Sequence, residues 1–504
     1  MAAGRYNLAR LADEAFERHG DFESLFFEGR WFGTGELRER VHRLGTGLRE
    51  LGIEPGDRVV VMMANCPEVG IAYQALWRAG AVITPAVFLL PPEELRHILE
   101  DAEPRAVITT PEFLPTVRAA AEGVESVKWL VSTGPEQDGA LSLESLEGSE
   151  PGEIVPRDDG DLAAIMYTGG TTGRAKGVML SHENLWFSAR GAQEASHVEG
   201  VNRTITSLPL SHGYGLMVSV AGLHVPERGH AVLMRWFEPQ GWVDLVEEHG
   251  IHRGIAVPTM LQLLLGLALE DRDLSSLRIV SCGAAPLAAE VAHELERRVP
   301  GVEILEGYGL TESAAIMSVN PPGRRKLGSV GLPLPGYEIA VVDEDDRPLQ
   351  PGEVGEVVCR GRGLMLGYWR SPGETERTLR GGWLHTGDLG RLDQDGYLWI
   401  VDRMKDLIIR SGVNVFPRDV EDVLVEHPAV QTAGVVGRPD DVRGEEIVAF
   451  VSIHPGAEAT SDQLVAFARG RLSAHSYPRE VRILPTVPVT PIGKVDRKAL
   501  RAML

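Results

Sequence analysis

Over its first 400 residues, the chain alternates short apolar runs with longer amphipathic runs that are rich in Ala, Leu and Glu. Residues 59–63 are one such apolar run, which predicts a buried strand, and residues 68–79 predict the helix that follows it. Further buried strands are expected at residues 163–167, 278–282 and 302–305. Because strands that alternate with helices build helix-covered, mostly parallel sheets, this pattern predicts an α/β architecture.

After about residue 329 the pattern changes to short strands separated by turns, which predicts a β-rich subdomain. The last hundred residues run helix, strand, strand, helix, strand, and this order predicts a small α+β domain with its own core. A chain of 504 residues is longer than one core usually spans. We therefore predict a large N-terminal domain over residues 1–402 and a small C-terminal domain over residues 403–504, divided at the polar step Asp402–Arg403.

The charge balance and the cysteine content narrow the classes of protein. Lys and Arg number 50 against 72 Asp and Glu, and the net charge of −22 disfavours nucleic-acid and anionic-membrane partners. No apolar run approaches the ~20 residues of a membrane span, so no integral membrane association is expected. Cys66, Cys282 and Cys359 form no CxxC pair, which argues against a disulfide framework or a zinc site. Because residues 1–10 also lack an apolar signal core, a cytoplasmic location is expected.

The strongest local signal is the glycine- and threonine-rich segment at residues 167–177, which directly follows a predicted strand. Glycines let backbone N–H groups approach an anion closely, threonine hydroxyls donate further hydrogen bonds, and Arg174 and Lys176 supply positive charge. A polyphosphate is the expected ligand. The segment is not a Walker A loop, because no Gly-Lys-Ser/Thr follows at the required spacing. A flexible surface loop is the alternative interpretation.

This segment resembles the phosphate loop of the adenylate-forming superfamily, which includes acyl-CoA synthetases, peptide-synthetase adenylation domains and firefly-type luciferases. Further segments resemble the other family signatures in the expected order, at residues 307–312, 383–388, 402–406 and 490–497. Two departures are present. Gly169 and Ala175 stand where the family usually has Ser and Pro, and residues 410–415 lack the Glu of the corresponding family segment.

The resemblance implies an ATP-dependent acid–thiol ligase of the acyl-CoA synthetase type. Such an enzyme converts a carboxylic acid and ATP to acyl-AMP and pyrophosphate, and then transfers the acyl group to coenzyme A. It also implies a Mg²⁺ requirement and a mobile C-terminal domain that turns about a hinge at Asp402. The segment Ser313-Ala314-Ala315 favours a roomy apolar pocket and hence a fatty or aryl acid.

The chemistry explains why these residue types are needed. A carboxylate and an α-phosphate repel each other, so the site must neutralise both and stabilise the departing pyrophosphate. A lysine ammonium such as that of Lys494 can bridge the two anions, and a carboxylate such as that of Glu312 suits Mg²⁺. Asp388 is expected to accept hydrogen bonds from the ribose, and Tyr308 to stack on adenine.

The resemblance assigns the following residues. The catalytic residues are Lys494, Thr311, Glu312 and His212, with Glu312 as the Mg²⁺ ligand; the ATP- or AMP-binding residues are Thr168, Gly169, Gly170, Thr171, Thr172, Gly173, Lys176, Tyr308, Gly309, Asp388 and Arg403; the acyl pocket comprises His212, Gly283, Ala284, Ala285, Gly307 and Ser313; the coenzyme A tunnel comprises Ser411 and Gly412; the hinge is Asp402.

Other interpretations stay open. A stand-alone adenylation enzyme that loads a carrier protein shares every one of these motifs, a luciferase-like oxidase is more distant, and a nucleotide-binding regulator without chemistry belongs to another class. An α-amino acid substrate is disfavoured, because no Asp lies between Leu208 and Leu223 to hold the amine. Lys494 also has a non-catalytic interpretation, as part of a solvated basic tail that includes Lys498 and Arg501.

Overall fold

The computed structural model describes residues 4–148, 150–168, 175–440, 442–490 and 495–504. The chain folds into two compact units. The N-terminal unit comprises Met1–Ile339 and Cys359–Leu384, and the C-terminal unit comprises Ala340–Val358 and His385–Leu504. The hinge predicted at Asp402 lies inside the C-terminal unit, and the domain boundary at that residue stays a prediction.

The strands in chain order are β1 (Glu23–Phe27), β2 (Arg30–Gly33), β3 (Arg58–Met62), β4 (Val82–Pro85), β5 (Ala106–Thr109), β6 (Trp129–Ser132), β7 (Leu141–Ser142), β8 (Leu162–Thr168), β9 (Lys176–Ser181), β10 (Arg203–Thr206), β11 (His230–Leu233), β12 (Arg253–Ala256), β13 (Ile279–Cys282), β14 (Glu303–Tyr308), β15 (Ser318–Val319), β16 (Leu332–Pro333), β17 (Tyr337–Val342), β18 (Gly355–Gly361), β19 (Gly367–Tyr368), β20 (Leu384–Leu392), β21 (Leu398–Arg403), β22 (Ile408–Arg410), β23 (Val413–Val415), β24 (Val430–Asp440), β25 (Gly444–Ile453) and β26 (Glu480–Ile483).

The α-helices are α1 (Leu8–His19), α2 (Thr34–Glu50), α3 (Pro67–Arg78), α4 (Pro92–Ala102), α5 (Leu114–Ala121), α6 (Leu143–Leu146), α7 (His182–Ser196), α8 (Gly213–Ala221), α9 (Pro239–His249), α10 (Pro258–Leu264), α11 (Ala289–Arg298), α12 (Pro372–Thr378), α13 (Pro417–Val425), α14 (Ser461–Arg469) and α15 (Arg497–Arg501). Among the described helices, none is long and apolar enough to cross a lipid bilayer.

Two sheets form the frame of the N-terminal unit. One has the strand order β19-β9-β8-β4-β3-β5-β6-β7, and the other β16-β15-β14-β13-β12-β10-β11-β1-β2. The central strands of both sheets pair in parallel, whereas β8 and β9 form an antiparallel pair. The strands predicted near residues 60, 165, 280 and 304 are β3, β8, β13 and β14, so the predicted α/β architecture is confirmed.

Strand β3 explains why a continuous apolar run marks a central strand. Successive side chains of a strand point to opposite faces of the sheet. Val59 and Val61 therefore pack into the core on one face, and Val60 and Met62 into a separate core on the other. All four side chains are at most 1% exposed, so no polar residue is tolerated at these positions.

The C-terminal unit has its own core, as predicted for an α+β domain. Its main sheet has the order β23-β22-β25-β24, with β26 added in parallel to β25. Val435, Ile447 and Leu464 are fully buried in a core that α13 and α14 cover. Strands β17, β18, β20 and β21 form a further four-stranded sheet, which corresponds to the predicted β-rich segment.

Candidate active site

The two ends of the glycine-rich segment are fixed by strand pairing. Thr168 is the last residue of β8 and Lys176 the first of β9, and the two residues lie opposite each other in the antiparallel register. The predicted phosphate-loop residues Gly169, Gly170, Thr171, Thr172 and Gly173 lie outside the described residues, so their roles stay predictions.

Helix α4 holds both ends of this segment. The Tyr167 hydroxyl donates a hydrogen bond to Asp101 Oδ2 over 2.5 Å, and His97 Nε2 donates to the Ala175 carbonyl over 3.0 Å. Burial, together with the neighbouring Asp101 carboxylate, raises the pKa of Tyr167 well above its usual value, so the hydroxyl stays protonated and acts as a donor. No local sequence pattern predicts these contacts, because Asp101 and Tyr167 are 66 residues apart.

Lys176 is held beside an acidic and aromatic pair. Its ammonium forms an ion pair with Glu374 over 2.9 Å and lies 5.6 Å from the ring centroid of Tyr368. Glu374 also pairs with Arg377 over 2.6 Å. Hydrogen bonds from Lys176 and Arg377 hold the pKa of Glu374 below its usual value, so this carboxylate stays charged at neutral pH.

Glu312 lies in a short 3₁₀ turn, Thr311–Ser313, that follows β14. Its Oε1 accepts a hydrogen bond from the Tyr368 hydroxyl over 2.7 Å, and its backbone carbonyl accepts one from Met365 N–H over 2.8 Å. Glu312 is half-buried, so it is partly accessible from solvent. The Glu312 carboxylate has a second oxygen besides the one that accepts from Tyr368, and Mg²⁺ typically takes one or two carboxylates plus substrate phosphates. The chemistry of this residue therefore fits Mg²⁺.

The backbone around this turn is tightly packed. A Cβ on Gly309 would lie 2.4 Å from Ile316 Cα, so only glycine fits at this position. Ala314 and Ala315 both adopt positive φ, at 51° and 79°, a conformation that costs on the order of 1 kcal/mol for a residue with a Cβ. Ser313, predicted for the acyl pocket, is fully buried, and its hydroxyl bonds the Leu310 backbone. Its pocket role stays a prediction.

Tyr308 and Gly307 end strand β14. Tyr308 is the last residue of the strand and is half-buried, and Gly307 lies opposite Val319 in the pairing with β15. A Cβ on Gly307 would come within 3.2 Å of the Ser318 carbonyl, so the strand edge here is closely packed. The adenine-stacking role of Tyr308 stays a prediction.

His212 caps helix α8. Its Nδ1 accepts a hydrogen bond from Tyr214 N–H over 3.3 Å. The helix start is close to the Glu312 turn, because a Cβ on Gly213 would lie 3.8 Å from the Thr311 hydroxyl and 3.6 Å from Ala315 Cβ. The structure thus brings the predicted His212 and Thr311 into one neighbourhood.

An apolar cluster adjoins α8. Its buried members are Leu208, Ile255 and Val257, and Tyr214, Val218, Met260 and Ala284 pack against them. Gly283 faces the Tyr214 ring, since a Cβ there would lie 3.7 Å from Tyr214 Cε1. The predicted pocket residues Gly283 and Ala284 therefore lie at this cluster, and Ala285 follows them in the chain.

In the C-terminal unit, Asp388 and Arg403 are cross-strand neighbours on β20 and β21. Arg403 Nε lies 3.3 Å from Asp388 Oδ1, and the Asp388 side chain is 6% exposed. Thr386 accepts the Asp388 N–H over 3.1 Å and donates to the Val357 carbonyl over 2.7 Å. Asp388 on the inner strand β20 and Arg403 on the edge strand β21 are therefore held side by side at one edge of the four-stranded sheet.

Asp402 connects this edge to helix α13. Its Oδ1 accepts a hydrogen bond from Arg403 N–H over 2.7 Å, and its Oδ2 accepts one from Arg418 N–H over 2.9 Å. The carboxylate thus satisfies backbone donors on two elements of the C-terminal unit. The hinge role stays a prediction.

Ser411 and Gly412 form the two-residue turn between β22 and β23. Their φ values of 53° and 79° are both positive, and the flanking residues Arg410 and Val413 pair directly, as in a type I′ hairpin. The hairpin is anchored by a buried ion pair, in which Arg410 Nε lies 2.7 Å from Glu446 Oε1 and both side chains are at most 7% exposed.

Lys494 lies outside the described residues, but the chain on its C-terminal side is firmly held. Val495 forms a β-bridge with Val489. Arg497 forms an ion pair with Glu421 over 2.7 Å, and Arg501 forms one with Asp406 over 2.7 Å. These contacts tie the segment after Lys494 to α13 and to the residues after β21.

Comparisons with known proteins identify the family of this chain. The family model described as AMP-binding enzyme matches residues 12–369, and that described as AMP-binding enzyme C-terminal domain matches residues 419–494. The chain is 32% identical to a long-chain-fatty-acid–CoA ligase of Bacillus subtilis, covering 98% of this chain and 94% of the relative. It is 36% identical to a feruloyl-CoA synthase of Amycolatopsis sp, covering 92% of each.

Solved structures match over nearly the whole chain. ATP-bound MatB from Rhodopseudomonas palustris superposes with a TM-score of 0.90 at 32% identity, covering 98% of both chains. The anthranilate CoA ligase AuaEII in complex with anthranoyl-AMP superposes with a TM-score of 0.92 at 26% identity, covering 99% of this chain and 97% of the other. These matches confirm the predicted fold and the predicted superfamily. The chain therefore belongs to the AMP-binding enzyme family, in the acyl-CoA ligase branch of the adenylate-forming superfamily.

Proposed function

We propose that this enzyme converts a fatty or aryl carboxylic acid to its acyl-AMP and then to its coenzyme A thioester. One observation carries the proposal beyond family membership. The Lys176 ammonium lies 5.6 Å from the centroid of the Tyr368 ring, and the Tyr368 hydroxyl donates to the Glu312 carboxylate at 2.7 Å, so the three side chains form one connected cluster beside the end of the glycine-rich segment. Such a cluster provides charges of both signs where a nucleotide triphosphate and its metal have to be neutralised together.

In the first half-reaction, a carboxylate oxygen of the acid attacks the α-phosphorus of ATP. A new oxygen–phosphorus bond forms, the bond from the α-phosphorus to the bridging oxygen breaks, and pyrophosphate leaves with its electron pair. Lys176 stabilises the negative charge that grows on the leaving group, and Lys494 neutralises the carboxylate and the α-phosphate as they approach. Mg²⁺, held by Glu312, supplies further neutralisation of the phosphates when it is bound.

In the second half-reaction, the coenzyme A thiol gives up its proton to solvent and its sulfur attacks the acyl carbonyl carbon. A carbon–sulfur bond forms, the bond from that carbon to the phosphate oxygen breaks, and AMP leaves with its electron pair. The Ser411–Gly412 turn lines the path of the thiol in this proposal, and glycine leaves space at position 412, where an added Cβ would meet no atom within 4 Å. Asp402 is the hinge about which the C-terminal unit presents first Lys494 and then this turn.

The hydrocarbon part of the acid packs against the apolar cluster of Leu208, Ile255 and Val257, with Gly283 and Ala284 at the edge of this cluster. Burial of hydrocarbon is favourable by about 25 cal/mol per Å², so a site of this composition selects apolar acids over short polar ones. Relatives named long-chain-fatty-acid–CoA ligase and feruloyl-CoA synthase support an apolar or aromatic substrate.

The test is ATP–pyrophosphate exchange with a panel of fatty, hydroxycinnamic and short dicarboxylic acids, followed by mass spectrometry of the products formed with coenzyme A. We expect exchange with at least one apolar acid and formation of its thioester, with Lys494→Ala as the inactive control. A parallel arm replaces coenzyme A with a pantetheinylated carrier protein. Transfer to the carrier alone would establish the stand-alone loading enzyme instead, and nucleotide binding without any exchange would overturn an enzymatic function.

A further inference from the structure

Tyr368 joins two side chains to which the proposed function gives separate roles. Its hydroxyl donates to Glu312 Oε1 over 2.7 Å, while the Lys176 ammonium lies 5.6 Å from its ring centroid. Lys176 is tethered in turn by Glu374, over 2.9 Å. The metal ligand and the phosphate-binding cation thus meet on one tyrosine that comes from a different part of the chain.

The Tyr368 backbone is held rigidly. Strand β19 pairs with β9, so that Tyr368 lies opposite Val178, and the Tyr368 N–H donates to Thr375 Oγ1 over 2.8 Å. Gly367, with φ of 141°, lets the chain approach Thr375, because a Cβ there would lie 2.6 Å from Thr375 Cγ2. A side chain fixed at both its backbone and its hydroxyl can set the orientation of a flexible carboxylate.

We propose that Tyr368 is a positioning residue for adenylation, whose hydroxyl fixes the rotamer of Glu312 so that the second carboxylate oxygen is presented to the metal–nucleotide complex. This inference rests on the proposed function and names a residue that orients its metal ligand. Outer hydrogen-bond partners of metal-binding carboxylates commonly change metal affinity by about 10- to 100-fold when they are removed.

The electrostatics of the cluster suit this role. The Tyr368 hydroxyl donates to Glu312 Oε1 at 2.7 Å, and a carboxylate oxygen can only accept this hydrogen bond. A hydrogen bond to the carboxylate leaves its negative charge in place, whereas a direct lysine partner would neutralise that charge and compete with the metal.

A second buried tyrosine provides a matched control. The Tyr337 hydroxyl donates to the Ser313 carbonyl over 2.8 Å, and Tyr337 is 8% exposed against 9% for Tyr368. It supports the same Thr311–Ser313 turn through the backbone but does not contact the Glu312 carboxylate in the described hydrogen bonds. A general loosening of the turn would affect both tyrosine variants alike, whereas loss of carboxylate orientation would affect only one.

The experiment measures Mn²⁺ binding to the full-length protein by electron paramagnetic resonance, in the presence of saturating α,β-methylene-ATP, which blocks adenylation. We expect Tyr368→Phe to weaken Mn²⁺ binding to the protein–nucleotide complex about tenfold, and Tyr337→Phe to leave it within about twofold of the wild type. The double variant Glu312→Gln/Tyr368→Phe should bind Mn²⁺ no more weakly than Glu312→Gln alone, because Tyr368 acts only through Glu312. Thermal melting of each variant shows that the fold is retained.

Unchanged Mn²⁺ affinity in Tyr368→Phe overturns the inference, and so does equal weakening in Tyr337→Phe or an additive loss in the double variant. Failure of the proposed function would look different. If Glu312→Gln itself binds Mn²⁺ like the wild type, Glu312 is not the metal ligand, and the assignment that underlies the inference is wrong.

Discussion

At the scale of single residues, the site is assembled by contacts between segments that are distant in the chain. Tyr368 and Glu312 are 56 residues apart, and their hydrogen bond arises only because β19 joins the edge of the sheet at β9. The family motifs identified Glu312 and Lys176, since each lies in a short contiguous signature. Tyr368, Glu374, Asp101 and His97 were missed because no local pattern indicates which distant side chain will meet a motif residue.

Asp388 gives a residue-scale prediction. We expect Asp388→Asn to raise the KM for ATP by roughly 10- to 100-fold and the KM for the acid far less, because a charge-assisted hydrogen bond contributes about 1.5–3 kcal/mol. The measurement is steady-state adenylation with each substrate varied in turn. The amide keeps the size of the side chain at this 6% exposed position.

The control is Asp393→Asn at the other end of the same strand pair, where Asp393 Oδ1 accepts the N–H groups of Asp395 and Tyr397. It perturbs a turn without touching the nucleotide. Equal rises in both KM values for Asp388→Asn, or a matching effect in Asp393→Asn, would assign Asp388 to folding rather than to ribose binding.

At the scale of elements, short turns with positive φ angles carry the proposed roles, and backbone sterics decide which residues these turns accept. The hairpin β22–β23 is an example, because both residues of its type I′ turn have positive φ. Glycine adopts this conformation without cost, asparagine tolerates it, and bulky residues resist it. The resemblance assigned Ser411 and Gly412 to the coenzyme A tunnel, but no local pattern predicted the positive φ of Ser411 or the buried Arg410–Glu446 ion pair.

We predict that Gly412→Leu will lose thioester formation from supplied acyl-AMP and coenzyme A while it retains ATP–pyrophosphate exchange. The leucine adds bulk at the turn and strain at a φ of 79°. Gly412→Asn, which suits this φ and is smaller, separates the two causes, since strain alone predicts near-normal thioester formation in Asn. If Gly412→Leu reduces exchange as strongly as thioester formation, the turn does not serve the thiol alone.

Helix α7 gives a prediction about pH. His182, its first residue, is fully buried, and burial lowers its pKa from 6.5 to about 4. His182 therefore becomes protonated below about pH 6.5 in the unfolded chain, but only near pH 4 in the folded chain. The stability that neutral His182 contributes is present above pH 6.5 and is lost progressively as the pH falls toward 4.

We expect His182→Gln to be less stable than the wild type at pH 7.5, with the difference in melting temperature narrowing or reversing by pH 4.5. Each pKa unit of separation corresponds to about 1.4 kcal/mol. His454→Gln, at a site outside this helix, is the comparison variant. A gap in melting temperature that is constant over the pH range would show that His182 contributes through packing alone.

At the scale of the whole molecule, two compact units divide the proposed chemistry between them. The fold class and the existence of a separate C-terminal core were predictable, because the alternation of strands and helices and the change of pattern are properties of long stretches. The partition was harder to predict, since residues 340–358 belong with the C-terminal unit although the chain returns afterwards to the N-terminal one. Such a return depends on pairing between strands that are not neighbours in sequence.

We predict that the half-reactions separate. Lys494→Ala should lose acyl-AMP formation from ATP by at least about 100-fold, as for other groups that stabilise transition-state charge, yet convert supplied acyl-AMP and coenzyme A normally. Asp402→Pro, which fixes φ and removes the acceptor for Arg418 N–H, should retain only one half-reaction. Single-turnover assays with synthetic acyl-AMP measure both.

Lys498→Ala is the matched control, since Lys498 is an exposed lysine of the same C-terminal basic segment. It should leave both half-reactions unchanged. Equal slowing of both steps in Lys494→Ala would contradict a division of labour about Asp402, and a similar loss in Lys498→Ala would point to the net charge of the tail.

The grip of α4 on Tyr167 and Ala175 has a consequence for how far this family's phosphate segment can vary. Because helix α4 holds Tyr167 and Ala175, the ends of the segment are already close together. The further entropic cost of closing a longer segment between them grows only slowly with its length. A proline at position 175 would reduce the conformational entropy of the unfolded chain, which stabilises the folded protein by about 0.4–1 kcal/mol. The bond from His97 to the Ala175 carbonyl, worth about 0.5–1.5 kcal/mol, is of the same size. Proline keeps its backbone carbonyl, so the hydrogen bond from His97 is available with either residue, and helix α4 holds this end of the segment whether alanine or proline stands at position 175.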